Sequence, residues 1–143
     1  MLEKIKKHLI LLLKLIAVIT VISGLIQMIV PGFMLGFIGG ETSPGANHSF
    51  GIVGMFMVLF GGLLLQALFA KTPQPIAVFW CGLQKFGATA AVTLGVVRGL
   101  FSWLALSVAA FDLFSAVLIF VYWWSIRKPA EAENTPASAE ASG

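Results

Sequence analysis

The chain has 143 residues, of which 59% are hydrophobic and 10% charged, and its mean hydropathy is +0.98. A soluble domain carries about 25% charged residues, so this composition excludes an ordinary water-soluble globule and points to a membrane protein. A net charge of +3 and a pI near 9.3 could serve a nucleic-acid partner. The cations sit where they orient membrane helices, however, so no nucleic acid is expected; the single cysteine excludes an internal disulfide.

Four segments carry roughly the 20 apolar residues that a spanning helix needs. Their apolar runs are long and do not alternate, so helices are expected rather than strands. The first covers about residues 9–30, with Lys14 near its start, and Pro31 ends or kinks it. Residues 31–38 stay apolar and read as an interfacial segment or a bent extension. Residues 39–49, GGETSPGANHS, read as an exposed loop. The second segment, 50–70, has no charge. A short turn over 71–75 leads to the third, 76–97, which contains Lys85. Arg98-Gly99 marks the next turn, and the fourth segment, 101–124, contains Asp112. The expected fold is all-α: an integral membrane four-helix bundle over residues 1–128. The Ala-, Glu-, Ser- and Pro-rich stretch 129–143 is expected to be a disordered cytoplasmic tail.

Basic residues set the expected orientation. Lys4, Lys6 and Lys7 precede the first helix, Lys71 lies between the second and third, and Arg127 and Lys128 follow the fourth. These ends share one side, whereas the other side has Arg98 and the acidic Glu41. The positive-inside rule places both termini of this multi-pass chain in the cytoplasm. Trp80, Tyr122, Trp123 and Trp124 fall at the expected inner interface and Trp103 at the outer one. The first apolar stretch is too long for a cleaved signal peptide and lacks an A-x-A site.

Lys85 and Asp112 are the candidate site. Lys85 lies 14 residues before Gly99 and Asp112 lies 13 after it. With a rise of about 1.5 Å per residue, the two charges reach nearly one depth, in the middle of a bilayer. Intramembrane charges face the bundle interior and pair, so an intramembrane ion pair is expected. Lys85, Thr89 and Thr93 recur every four residues as a polar stripe. Ala105, Ala109, Asp112 and Ala116 form a small-residue face on the next helix. Several readings of the pair stand: a neutralised lock on helix register; a proton or substrate relay, or a polar anchor for a cofactor; and charges paired with another chain or placed in a solvated cavity. Gly87, Ala91, Gly95 and Gly99 form a small-xxx-small ridge roughly opposite Lys85, expected to pack a helix of the same chain or of a second copy. Gly32, Gly36 and Gly40 make a weaker series. Gln27, Gln66 and Gln84 are read as interhelical hydrogen-bonding groups.

Catalytic patterns are thin. His8 and His48 fall on opposite membrane sides and cannot share a haem. Cys81 reads as a small core residue. No HExxH, CxxC, P-loop or GxSxG pattern occurs. No cofactor or metal is expected.

Several stretches resemble the small bacterial four-helix membrane proteins of the DoxX-like and BphX-like type. They are MIVPGFMLGFIGG at 28–40, GIVGMFMVLFGGLLLQAL at 51–68, GLQKFGA at 82–88, RGLFS at 98–102 and FDL at 111–113. The resemblance implies a fold and a bacterial plasma membrane, and it carries no catalytic residue. The leading expectation is a non-enzymatic accessory or scaffold subunit with a membrane-protein partner or a second copy of itself. The alternative is a small proton-coupled transporter using the Lys85–Asp112 pair. A membrane enzyme or quinone-associated protein is the third reading, with the fewest residues to support it.

Overall fold

The computed structural model describes the backbone of residues 2–133 and the side chains of residues 4–127. The described residues form five helices and no strand: α1 (Leu2–Ile29), α2 (Pro31–Phe37), α3 (Pro44–Phe69), α4 (Pro75–Val97) and α5 (Ala105–Glu133). Three of them, over Lys4–Ile29, Pro44–Phe69 and Ala105–Arg127, are long and apolar enough to cross a membrane. Four are expected from the sequence. The helix that falls short is α4, whose apolar run is diluted by Gln84, Lys85, Thr89 and Thr93.

Proline and serine chemistry set the boundaries. Pro31 cannot continue α1 but is well suited to the first position of a new helix, and it opens α2. Residues 31–38 are therefore a separate short helix rather than a bent extension. The loop expected over 39–49 is shorter, because α3 starts at Pro44. The Ser43 hydroxyl accepts the Ala46 N–H at 3.2 Å, and Pro44 fills the first turn. The last helix starts later than expected, at Ala105, and runs to Glu133, beyond the tail boundary expected at 129. Ala130, Glu131, Ala132 and Glu133 are strong helix formers and extend it. The remainder of the expected tail lies outside the described residues.

Two helix ends use the same device. In α2, Gly39 takes φ +76°, its N–H bonds the Gly36 carbonyl and the Gly40 N–H bonds the Leu35 carbonyl. In α4, Gly99 takes φ +71°, its N–H bonds the Val96 carbonyl and the Leu100 N–H bonds the Gly95 carbonyl. Both are Schellman ends, in which a left-handed glycine satisfies carbonyls that the helix leaves open. The two ends are joined, since the Ser102 N–H and hydroxyl both donate to the Ile38 carbonyl, at 2.9 and 3.0 Å.

The long helices pack as two antiparallel pairs. α1 lies chiefly against α3, and α4 chiefly against α5; α3 also meets α4, and α1 meets α5. The main core draws on all four: Leu13, Ile16 and Ala17 of α1, Leu64 of α3, Val78 and Cys81 of α4, and Ile119 of α5. A smaller cluster under the Schellman ends unites Leu35, Ile38 and Ala105. The α1–α3 seam is backbone against backbone. A Cβ added to Gly54 would lie 2.7 Å from the Gly24 carbonyl oxygen, and one added to Gly24 would lie 2.7 Å from that of Gly54. Much of the outward surface is large and apolar, including Leu11, Ile22, Phe56, Leu59, Phe86, Phe114 and Val117, which suits contact with lipid.

Gly54→Ala should therefore lower stability by about 1–3 kcal/mol through overpacking. Gly62→Ala, whose new Cβ meets nothing within 4 Å, should stay within about 0.5 kcal/mol of the parent. Thermal unfolding in mild detergent checks both. Equal melting of the two variants would contradict the close α1–α3 seam.

Candidate functional site

Asp112 lies on the buried stripe of α5, which runs through Ala105, Ala109, Ser115, Ala116, Ile119, Tyr122 and Ile126. Steps of three and four residues keep these side chains on one face. Small residues one turn before and one turn after Asp112 let α4 approach. From α4, Val78, Cys81, Gly82 and Lys85 point inward. A Cβ on Gly82 would sit 3.1 Å from the Phe120 ring, so a larger residue there would push the helices apart one turn from Lys85.

At this crossing the Lys85 ammonium donates to Asp112 Oδ1 at 2.6 Å. The two residues are 4% and 6% exposed, so the bond is screened from solvent. A charge-assisted bond of this length is at the short end of its kind. The Phe111 ring lies 5.4 Å from the ammonium. One turn along, the Thr89 hydroxyl lies 3.1 Å from the Lys85 carbonyl and 3.2 Å from the Ala109 carbonyl, so its single proton is shared between the two helices. Thr93, the third residue of the expected stripe, is exposed.

The expected glycine ridge is not gathered against a neighbour. Gly87 and Ala91 are exposed, and a Cβ at Gly87 meets nothing within 4 Å. Gly95 alone is packed, with Phe101 2.5 Å from its would-be Cβ, and Gly99 is the left-handed helix end. The glycines that make a close seam are Gly24, Gly54 and Gly61, on the other helix pair. Of the three glutamines, Gln27 donates to the Phe50 carbonyl at 2.9 Å, Gln66 is exposed, and Gln84 is half-buried.

Two buried polar residues escape a search for charges. Thr20 donates to the Ile16 carbonyl at 2.9 Å, and Ser115 donates to the Phe111 carbonyl at 2.7 Å. Both satisfy themselves one turn back on their own helix. Their place on the stripes Leu13–Ile16–Ala17–Thr20 and Asp112–Ser115–Ala116–Ile119 is the signal that would have found them. Thr20, Gln84, Cys81 and Lys85 border a small gap where α1, α3, α4 and α5 converge. The Cys81 thiol points to the Phe60 carbonyl at 3.5 Å. Tyr122, expected among the interfacial aromatics, is buried in the core, while Trp80, Trp103 and Trp124 are exposed.

Among the described residues, no group of three or more His, Cys, Asp and Glu is placed to hold a metal ion. Compared with known proteins, the chain matches no family model, no curated protein and no solved structure.

Removing one partner strands the other charge in an apolar interior, a change that costs about 3–5 kcal/mol in buried pairs. Asp112→Ala should show a loss of that order in detergent unfolding. The double variant Lys85→Met/Asp112→Leu should recover most of it. A double variant as damaged as the single one would mean that the pair does not act as a unit.

Proposed function

We propose that this chain is a four-span membrane bundle, with both termini cytoplasmic, that serves as a non-enzymatic accessory or scaffold subunit of a plasma-membrane complex. The observation that carries the reading is the closed Lys85–Asp112 contact at 2.6 Å. It turns the two charges inward and neutralises them, leaving α4 an outward face of Ile76, Leu83, Phe86, Leu94 and Val97. At 23 residues, α4 is about 34 Å long, enough for a hydrocarbon core of about 30 Å. Lys4, Lys6, Lys7, Lys71 and Arg127 lie at the same end of the antiparallel helices, and Arg98 at the other. That asymmetry supports the orientation. A pair locked to itself is read as a register device, and the resemblance to the DoxX-like and BphX-like proteins supplies no catalytic residue to carry over.

A second reading, a small proton-coupled transporter, draws on the gap beside Lys85. There Thr20 and Gln84, one from each helix pair, border the gap together with Lys85.

Purification from its native membrane in mild detergent, followed by mass spectrometry, tests the proposal. The subunit reading expects another membrane protein at fixed stoichiometry, lost from Asp112→Asn together with the fold. A chain that purifies without a partner, and whose Asp112→Asn form stays folded but loses proton-driven transport in vesicles, would replace it with the transporter reading.

A further inference from the structure

Lys14 is a charge that the core pair leaves unexplained. It lies ten residues beyond Lys4, about 15 Å further along the helix axis, inside a segment apolar enough to span. It is half-buried, and its ammonium rests 3.7 Å from the centre of the Phe69 ring, in the last turn of α3. A cation held this way is anchored at the α1–α3 seam rather than extended into water.

The same flank of α1 carries three lysines. Lys4, Lys7 and Lys14 line one surface groove together with His8, Ile10 and Leu11, all from this one helix. The His8 Nδ1–H donates to the Lys4 carbonyl at 2.7 Å, which holds that ring in the groove wall. Over residues 1–14 the sequence has four lysines against the single acidic Glu3. Cationic above and aliphatic below, the groove has the polarity of an anionic lipid: a phosphate beside the lysines, and an acyl chain along Leu11 and the outer surface of α1.

We propose that the groove these lysines line binds the headgroup phosphate of one anionic phospholipid. The inference rests on the membrane-spanning reading of α1 and α3. Charge complementarity selects the occupant, because lysines clustered at the end of a spanning helix attract anionic headgroups. The depth of Lys14 adds selectivity: a cation below the headgroup plane draws phosphate and water down to it.

The test uses the full chain reconstituted in phosphatidylcholine bilayers containing a minor fraction of phosphatidylglycerol. After extraction, native mass spectrometry weighs the lipids that stay bound. The parent should retain phosphatidylglycerol over phosphatidylcholine, Lys14→Met should reduce that preference about fivefold, and Lys14→Arg should keep it. Methionine suits an apolar helix, so loss of fold is not expected, and the melting temperature checks it. A preference unchanged in Lys14→Met, or bound lipids that mirror the bulk ratio in the parent, would overturn the proposal. A chain that never enters the bilayer fraction would overturn the spanning reading first, and the lipid site with it.

Discussion

One ammonium and one carboxylate in an apolar interior decide how α4 and α5 lie. Each charge alone at the centre of a spanning helix costs about 2.5–3.5 kcal/mol on insertion scales. Contact at 2.6 Å is the arrangement that offsets both costs, and it tolerates little displacement. Small residues surround it. Ala109 and Ala116 flank Asp112, and Gly82 precedes Lys85 by one turn, so the helices can approach closely on either side of the bond. Thr89, sharing its proton between the Lys85 and Ala109 carbonyls, repeats the same crossing one turn away.

The other helix pair reaches a comparable closeness by a different route. Gly24 against Gly54, and Gly61 against Ala17 and Val21, bring backbone to backbone with no charge involved. Such a seam relies on van der Waals packing, which does not weaken in lipid, where helices lose the hydrophobic drive toward one another. The two pairs are then tied at one end by Ser102 on the Ile38 carbonyl, and along their length by the shared core. Contacts within each pair are denser than those between pairs.

Much of this could be read in the sequence where a residue type and its spacing carry the same message. The nearly equal distances of Lys85 and Asp112 from Gly99, 14 and 13 residues, place them at nearly one depth, and the alanine face of α5 around Asp112 marks an approachable side. Spacing alone does not reveal whether a neighbour exists. Gly87 and Ala91 repeat with the period of a packing ridge yet face outward, whereas Gly54 and Gly61, seven residues apart, make the real seam. The start of α3 was hidden by composition. Ser43-Pro44 lies within a stretch rich in Gly, Pro, Ser and Asn, and its capping geometry outweighs that loop-like content. The length of α4 could be read directly, but its marginal hydropathy left it short of the three more apolar helices.

The proposed four-span arrangement gives that marginal hydropathy a consequence for biogenesis. During synthesis α4 emerges before α5, so in that arrangement Lys85 would reach the membrane before its counter-ion. The ammonium could not be neutralised until about 27 further residues had emerged, the sequence separation of the bonded pair. Stable integration of α4 would therefore await α5, and the two would enter as a hairpin. The tight turn at Gly99, already closed by local backbone bonds, holds the first arm ready for the second. The α1–α3 pair would need no later helix in this way, since Lys14 rests on Phe69 of the pair itself.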